Sequence, residues 1–118
     1  VFDEKREDTL DIRGRDMVSG LPKTVTITSK EILEATKESM NEIVAAAKTV
    51  LEETPPELSA DIIDRGIITT GGGAMLHGID QLLVKELKVP VFKAESPLDS
   101  VALGTGILLE NIDKLGKY

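Results

Sequence analysis

The run Ile67-Ile68-Thr69-Thr70-Gly71-Gly72-Gly73-Ala74-Met75-Leu76 holds the residues of this chain best suited to ligand chemistry. Four β-branched residues lead into three consecutive glycines, and an apolar, weakly helical stretch follows. Without Cβ atoms the backbone there can turn sharply, take positive φ and come close to a ligand. At the end of a strand, with free amides at the following helix start, such a turn suits a flat or anionic ligand such as a nucleotide. The same glycines also fit a plain strand-to-helix turn with no ligand, because short glycine motifs are common.

Sharper phosphate motifs are excluded. A Walker A loop needs a lysine and a hydroxyl after its last glycine, but Gly73 and Gly78 are followed by Ile79. A dinucleotide fingerprint starting at Gly71 and Gly73 is broken by Leu76. His77 is the only histidine, so neither a two-histidine metal site nor a Ser-His-Asp triad has support; it reads as a helix residue beside a turn. Glu52, Glu53, Glu57, Asp61 and Asp64 are read as a solvated acidic face rather than a magnesium site. No catalytic residue and no metal ligand is assigned.

The elements that must hold the glycines follow from periodicity. Asp3–Asp8 is wholly charged. Leu10 and Ile12 alternate with polar residues, Val18–Lys23 carries turn chemistry, and Thr24–Ile27 alternates again, which predicts an antiparallel hairpin. Thr28 and Glu31 have capping-box spacing and open a long helix to about Glu53, with Ile32, Ala35, Met40, Ile43, Ala47 and Val50 as its apolar stripe. Pro55-Pro56 ends it and starts a short second helix. Asp64-Arg65-Gly66 punctuates before a strand at residues 67–70.

Leu76, Ile79, Leu82, Leu83 and Leu87 predict a helix after the glycines, and Val89–Phe92 a short strand. Ser96 as N-cap with Pro97 in the first turn opens a last amphipathic helix through Ile112. Gly104 and Gly106 within that helix suggest close packing against the sheet. The fold class is α/β: a short mixed sheet, its two late strands parallel, with covering helices and an attached antiparallel hairpin.

Composition bounds the function. The 118 residues suffice for one modest core, which must be built from Leu, Ile, Val and Ala because aromatics make up only 3%. A net charge of −7 argues against a nucleic-acid surface. There are no cysteines, which removes disulfides, thiolate metal sites and thiol nucleophiles. No apolar run approaches the roughly 20 residues needed to cross a bilayer. The chain opens Val1-Phe2-Asp3-Glu4 without methionine and reads as a piece of a longer protein.

Arg13-Gly14-Arg15-Asp16-Met17-Val18-Ser19-Gly20-Leu21-Pro22-Lys23, Thr54-Pro55-Pro56-Glu57-Leu58-Ser59-Ala60-Asp61-Ile62, Asp64-Arg65-Gly66-Ile67 and Thr70-Gly71-Gly72-Gly73-Ala74 follow in order along the chain. With Val89-Pro90-Val91 and Val101-Ala102-Leu103-Gly104-Thr105-Gly106 they resemble the MreB family of bacterial actin-like proteins, nearest its Mbl branch. The resemblance implies the C-terminal part of an actin-like ATPase with a ribonuclease H-like fold. Residues 1–28 would end the smaller outer subdomain of the second half, and residues 29–118 would belong to its inner subdomain. It further implies that Gly71, Gly72, Gly73 and Ala74 lie against the adenosine of ATP, with Met75 a weaker neighbour.

The family's phosphate-binding turns, magnesium-positioning acids and water-activating residue have no match here, so this piece alone is expected not to hydrolyse ATP and to bind it weakly or not at all. For the intact parent the resemblance implies ATP with Mg2+ and slow hydrolysis. It also implies self-association into filaments at the cytoplasmic face of the membrane, working with the cell-wall elongation machinery to maintain rod shape. The hairpin and residues 50–65 are both open as filament contacts. Two other readings stay open: a stand-alone small-ligand module, and a fragment of a related sugar-kinase or heat-shock chaperone ATPase.

Overall fold

The computed structural model describes residues 5–115; the expectation of solvated charges at Asp3 and Glu4 lies outside them. Strands β1 (Thr9–Arg15) and β2 (Pro22–Thr28) pair antiparallel, with Leu10 opposite Ile27 and Ile12 opposite Val25 on one face. Thr26 Oγ1 donates to Asp11 Oδ1 at 2.6 Å on the other. The connecting turn, residues 16–21, lies two positions earlier than the Val18–Lys23 the sequence suggests. Asp16 Oδ1 accepts from the Val18 amide at 2.8 Å, Gly20 takes φ +73°, and the strands therefore extend to Arg15 and Pro22.

Helix α1 (Ser29–Glu53) begins at the expected capping box: Thr28 Oγ1 accepts from the Glu31 amide, and Glu31 reaches back to the Thr28 amide. It ends before Pro55, where Thr54 Oγ1 donates to the Val50 carbonyl. Its buried stripe differs from the one the periodicity suggested. Met40 is buried as expected, but Val44 is 6% exposed and Ile43 46%, so the inward line is displaced by one position. Ile32 and Val50 are likewise exposed. Apolar residues on two adjoining faces make the helix's sequence ambiguous, and packing against α3 selects the Met40–Val44 side.

Helix α2 (Pro56–Arg65) follows with proline in its first turn and ends at Gly66. Strands β3 (Ile67–Thr69) and β4 (Val91–Lys93) pair parallel, Ile67 opposite Val91, with α3 (Ile79–Leu87) in the crossover. The core is Met40 and Val44 of α1 against Ile79 and Leu83 of α3, flanked by Leu82, Leu87 and Val91. Ile68 and Phe92 point to the opposite, exposed face of the β3–β4 pair.

The last helical segment departs from expectation. Helix α4 (Ser100–Glu110) starts after a turn at residues 97–99, and a one-turn α5 (Ile112–Leu115) follows. Ser96 is not its N-cap. Leu98, Val101, Leu103, Ile107, Leu108 and Leu109 are each at least half exposed, so α4 is apolar around its circumference rather than one-sided. A Cβ at Gly104 or Gly106 would meet nothing within 4 Å, so the helix–sheet contact expected of them is absent among the described residues. The molecule measures 65 × 32 × 22 Å with a radius of gyration of 19.9 Å. About 13–14 Å would be usual for a compact domain of this length.

Candidate functional site

Strand β3 is short because Gly66 and Gly71 bracket it. Gly66 has φ +80° and ψ −168°, and a Cβ there would sit 2.6 Å from the Pro90 carbonyl oxygen. Only glycine lets α2 end and β3 pair at once with the segment entering β4. Gly71, with φ +81°, then throws the chain off the strand. Gly72–Met75 forms one 3-10 turn, in which the Ala74 amide donates to the Gly71 carbonyl and the Leu76 amide to that of Gly73, both at 3.2 Å. Leu76 is extended and Gly78 left-handed, so the apolar stretch after the glycines is a turn and then a helix, not one continuous helix.

The structure therefore brings Gly71, Gly72, Gly73, Ala74 and Met75 to one bend at the carboxyl end of a parallel strand, where α/β sheets commonly receive ligands. They are not equivalent. Gly71 is required by its φ. Gly72 and Gly73 are exposed, and a Cβ on Gly73 would meet nothing within 4 Å, while one on Gly72 would be 3.8 Å from a Leu98 methyl. Ala74 is 3% exposed, backbone included, so it lies beneath the bend rather than at its surface. Met75 lies half-exposed beside it.

Two threonines fasten the bend from opposite sides. Thr69 Oγ1 donates to Asp80 Oδ1 at 3.0 Å, tying β3 to the first turn of α3. Thr70 Oγ1 donates to the Pro97 carbonyl at 3.1 Å, and the Gly71 amide donates to that same oxygen at 2.8 Å. Sequence reasoning gave Gly66 only as punctuation before the strand and passed over Asp80 and this use of Pro97. Thr69-Thr70 at a strand end held the available signal, since consecutive strand side chains point to opposite faces.

His77 sits in the connection to α3, not within a helix, and its side chain lines a hollow of about 490 Å³. Arg6, Asp8, Leu10, Ile27, Ile32 and Leu33 share that hollow, and no residue of the glycine bend does. Glu52, Glu53, Glu57, Asp61 and Asp64 are all exposed.

Comparison with known proteins decides the family. The MreB/Mbl protein family model matches residues 1–117. The chain belongs to the MreB/Mbl family. It is 66% identical over 117 residues to the cell shape-determining protein Mbl of Bacillus subtilis (strain 168), covering 99% of this chain and 35% of that protein. It is 48% identical over 114 residues to the cell shape-determining protein MreB of Escherichia coli (strain K12), covering 97% of this chain and 32% of that one. This member of the family thus spans about a third of the length of the curated relatives it matches.

Two crystal structures of MreB5 of Spiroplasma citri share the fold. The one bound to AMPPNP has TM-score 0.85 and 38% identity, covering 95% of this chain and 34% of that chain. The one bound to ADP has TM-score 0.86 and 37% identity, covering 96% and 34%. The α/β architecture is therefore that of a segment of an actin-like MreB protein.

Proposed function

We propose that this chain supplies the adenosine-facing wall of the nucleotide site in an actin-like cell shape-determining ATPase. On this reading residues 1–28 end an outer subdomain, and residues 29–118 form part of the inner subdomain that carries the bend. The observation that carries it is the open space over Gly73 and the merely ordinary contact, 3.8 Å to a Leu98 methyl, that a Cβ on Gly72 would make: neither residue needs to be glycine for packing, and both keep side chains away from a surface beside a strand end. A bare backbone of this kind admits a base or ribose where a side chain would collide. Support comes from the MreB5 relatives solved with AMPPNP and ADP.

The bend's role is to bind and orient. Gly71, Gly72 and Gly73 would hold the adenosine, with the buried Ala74 supporting them from beneath and Met75 bordering it. Bound ATP with Mg2+ would supply the phosphoryl chemistry, and the groups for that step are assigned to the rest of the parent protein. Among the described residues no three of His, Cys, Asp or Glu are grouped to hold a metal ion. The parent would self-associate into nucleotide-dependent filaments at the cytoplasmic face of the membrane and act with the cell-wall elongation machinery. Among the described residues no helix is long and apolar enough to cross a membrane.

The test is titration of the full-length polypeptide carrying this chain with ADP. Gly73→Val, which adds bulk only into open space, should weaken binding by about tenfold or more, equivalent to about 1.4 kcal/mol, with the thermal midpoint nearly unchanged. Unchanged affinity in a folded Gly73→Val protein would remove the reading.

A further inference from the structure

We infer that Thr70 and Pro97 are positioning residues for nucleotide binding, forming a clasp that holds the glycine bend in its receptive shape; this rests on the adenosine reading above. Ser96-Pro97 has the sequence of a helix start, yet α4 begins only at Ser100. The Pro97 carbonyl is turned instead toward the bend. It accepts from the Gly71 amide at 2.8 Å and from Thr70 Oγ1 at 3.1 Å. The proline ring fixes φ at its own residue, which limits the ways this carbonyl can swing.

Behind Pro97 the turn is closed locally: the Asp99 amide donates to the Ser96 carbonyl at 3.0 Å and Ser100 Oγ donates to the same oxygen at 3.1 Å. The acceptor is thus presented by a small pre-formed unit. Gly71 is at φ +81°, and a Cβ built on it would meet nothing within 4 Å, so no neighbour packs against it on that side. Its orientation depends on the hydrogen bonds around it. Thr69 is fastened differently, to Asp80 of α3, and does not touch the Pro97 carbonyl.

A bend that spends only part of its time in the receptive shape binds in proportion to that fraction. Losing the Thr70 hydroxyl removes one of two donors to the Pro97 oxygen, so apparent ADP affinity should fall by about threefold to tenfold, the range of a single net hydrogen bond. The experiment uses the full-length polypeptide with Thr70→Val, Thr70→Ser, Thr69→Val and Gly73→Val, each titrated with ADP and melted without it. Amide exchange at Gly71 is followed in parallel.

The clasp requires weaker ADP binding and faster Gly71 exchange in Thr70→Val, recovery of both in Thr70→Ser, and ordinary ADP affinity in Thr69→Val despite a lower melting point. Equal affinity losses in Thr69→Val and Thr70→Val would reduce Thr70 to a structural residue and overturn the inference. So would wild-type affinity in Thr70→Val while Gly73→Val binds poorly. If Gly73→Val binds normally, the adenosine reading itself fails, and the inference goes with it. Should Thr70→Val not fold, Thr70→Ala and the Gly71 exchange rate carry the same comparison.

Discussion

Gly66→Ala offers a sharp quantitative test of the backbone argument. At φ +80° and ψ −168° the residue occupies a region essentially reserved for glycine, so an L-residue costs about 1–3 kcal/mol in backbone strain alone. The new methyl would lie 2.6 Å from the Pro90 carbonyl oxygen and 2.9 Å from the Pro90 Cβ, so something must move. That oxygen accepts the Ile67 amide at 2.8 Å, the bond that starts the β3–β4 pairing, and displacing it costs about 1 kcal/mol more. The expected loss is therefore about 2–4 kcal/mol, a large share of an ordinary folding free energy. Gly73→Ala is the matched control, because its methyl meets nothing within 4 Å and its φ is not left-handed; it should be neutral or stabilising by up to about 1 kcal/mol. Urea unfolding of the full-length polypeptide, read by midpoint and slope, measures both. A Gly66→Ala loss below about 1 kcal/mol, or one matched by Gly73→Ala, would show that the backbone conformation assigned to Gly66 does not constrain the fold.

Other substitutions separate packing from capping. Leu83→Ala removes a buried side chain from the α1–α3 contact and should cost about 2–4 kcal/mol by chemical denaturation. Thr28→Ala deletes the capping-box acceptor and should cost about 1 kcal/mol, with faster amide exchange at Glu31, whereas Thr28→Ser should retain most of the stability.

The sequence was legible where one local rule acted without competition. Thr28 with Glu31, Pro55-Pro56 and the alternation around Leu10–Ile12 and Thr24–Ile27 each specify an element through neighbouring residues, and each element is present. Parallel pairing of β3 with β4 followed from strand–helix–strand order. What was not legible depends on distant partners. Ile43 and Val44 are equally apolar, and only the position of α3 makes one core and the other surface. Ser96-Pro97 satisfies the local rule for a helix start, yet the Gly71 amide competes for the Pro97 carbonyl and delays the helix. Gly66 looked like punctuation because its reason lies across the fold at Pro90. Within the candidate site the glycines could be found from type alone. Their division into a required Gly71 and unencumbered Gly72 and Gly73 needed φ angles and neighbours.

At the base of the hairpin, Ser29 is bound three ways: its amide donates to the Asp8 carbonyl, its hydroxyl donates to the Arg6 carbonyl, and that hydroxyl accepts from the Asp8 amide. At the far end Met17 and Val18 are 94% and 98% exposed and so have almost no packing. The ribbon between them is a cantilever about 23 Å long, taking roughly 3.3 Å for each of its seven rungs. A tilt of about 10° at the pivot carries the free end through about 4 Å, more than the length of a hydrogen bond. Whatever meets that end would therefore gauge, at magnified scale, how firmly Ser29 and the neighbouring Thr28–Glu31 pair hold the pivot.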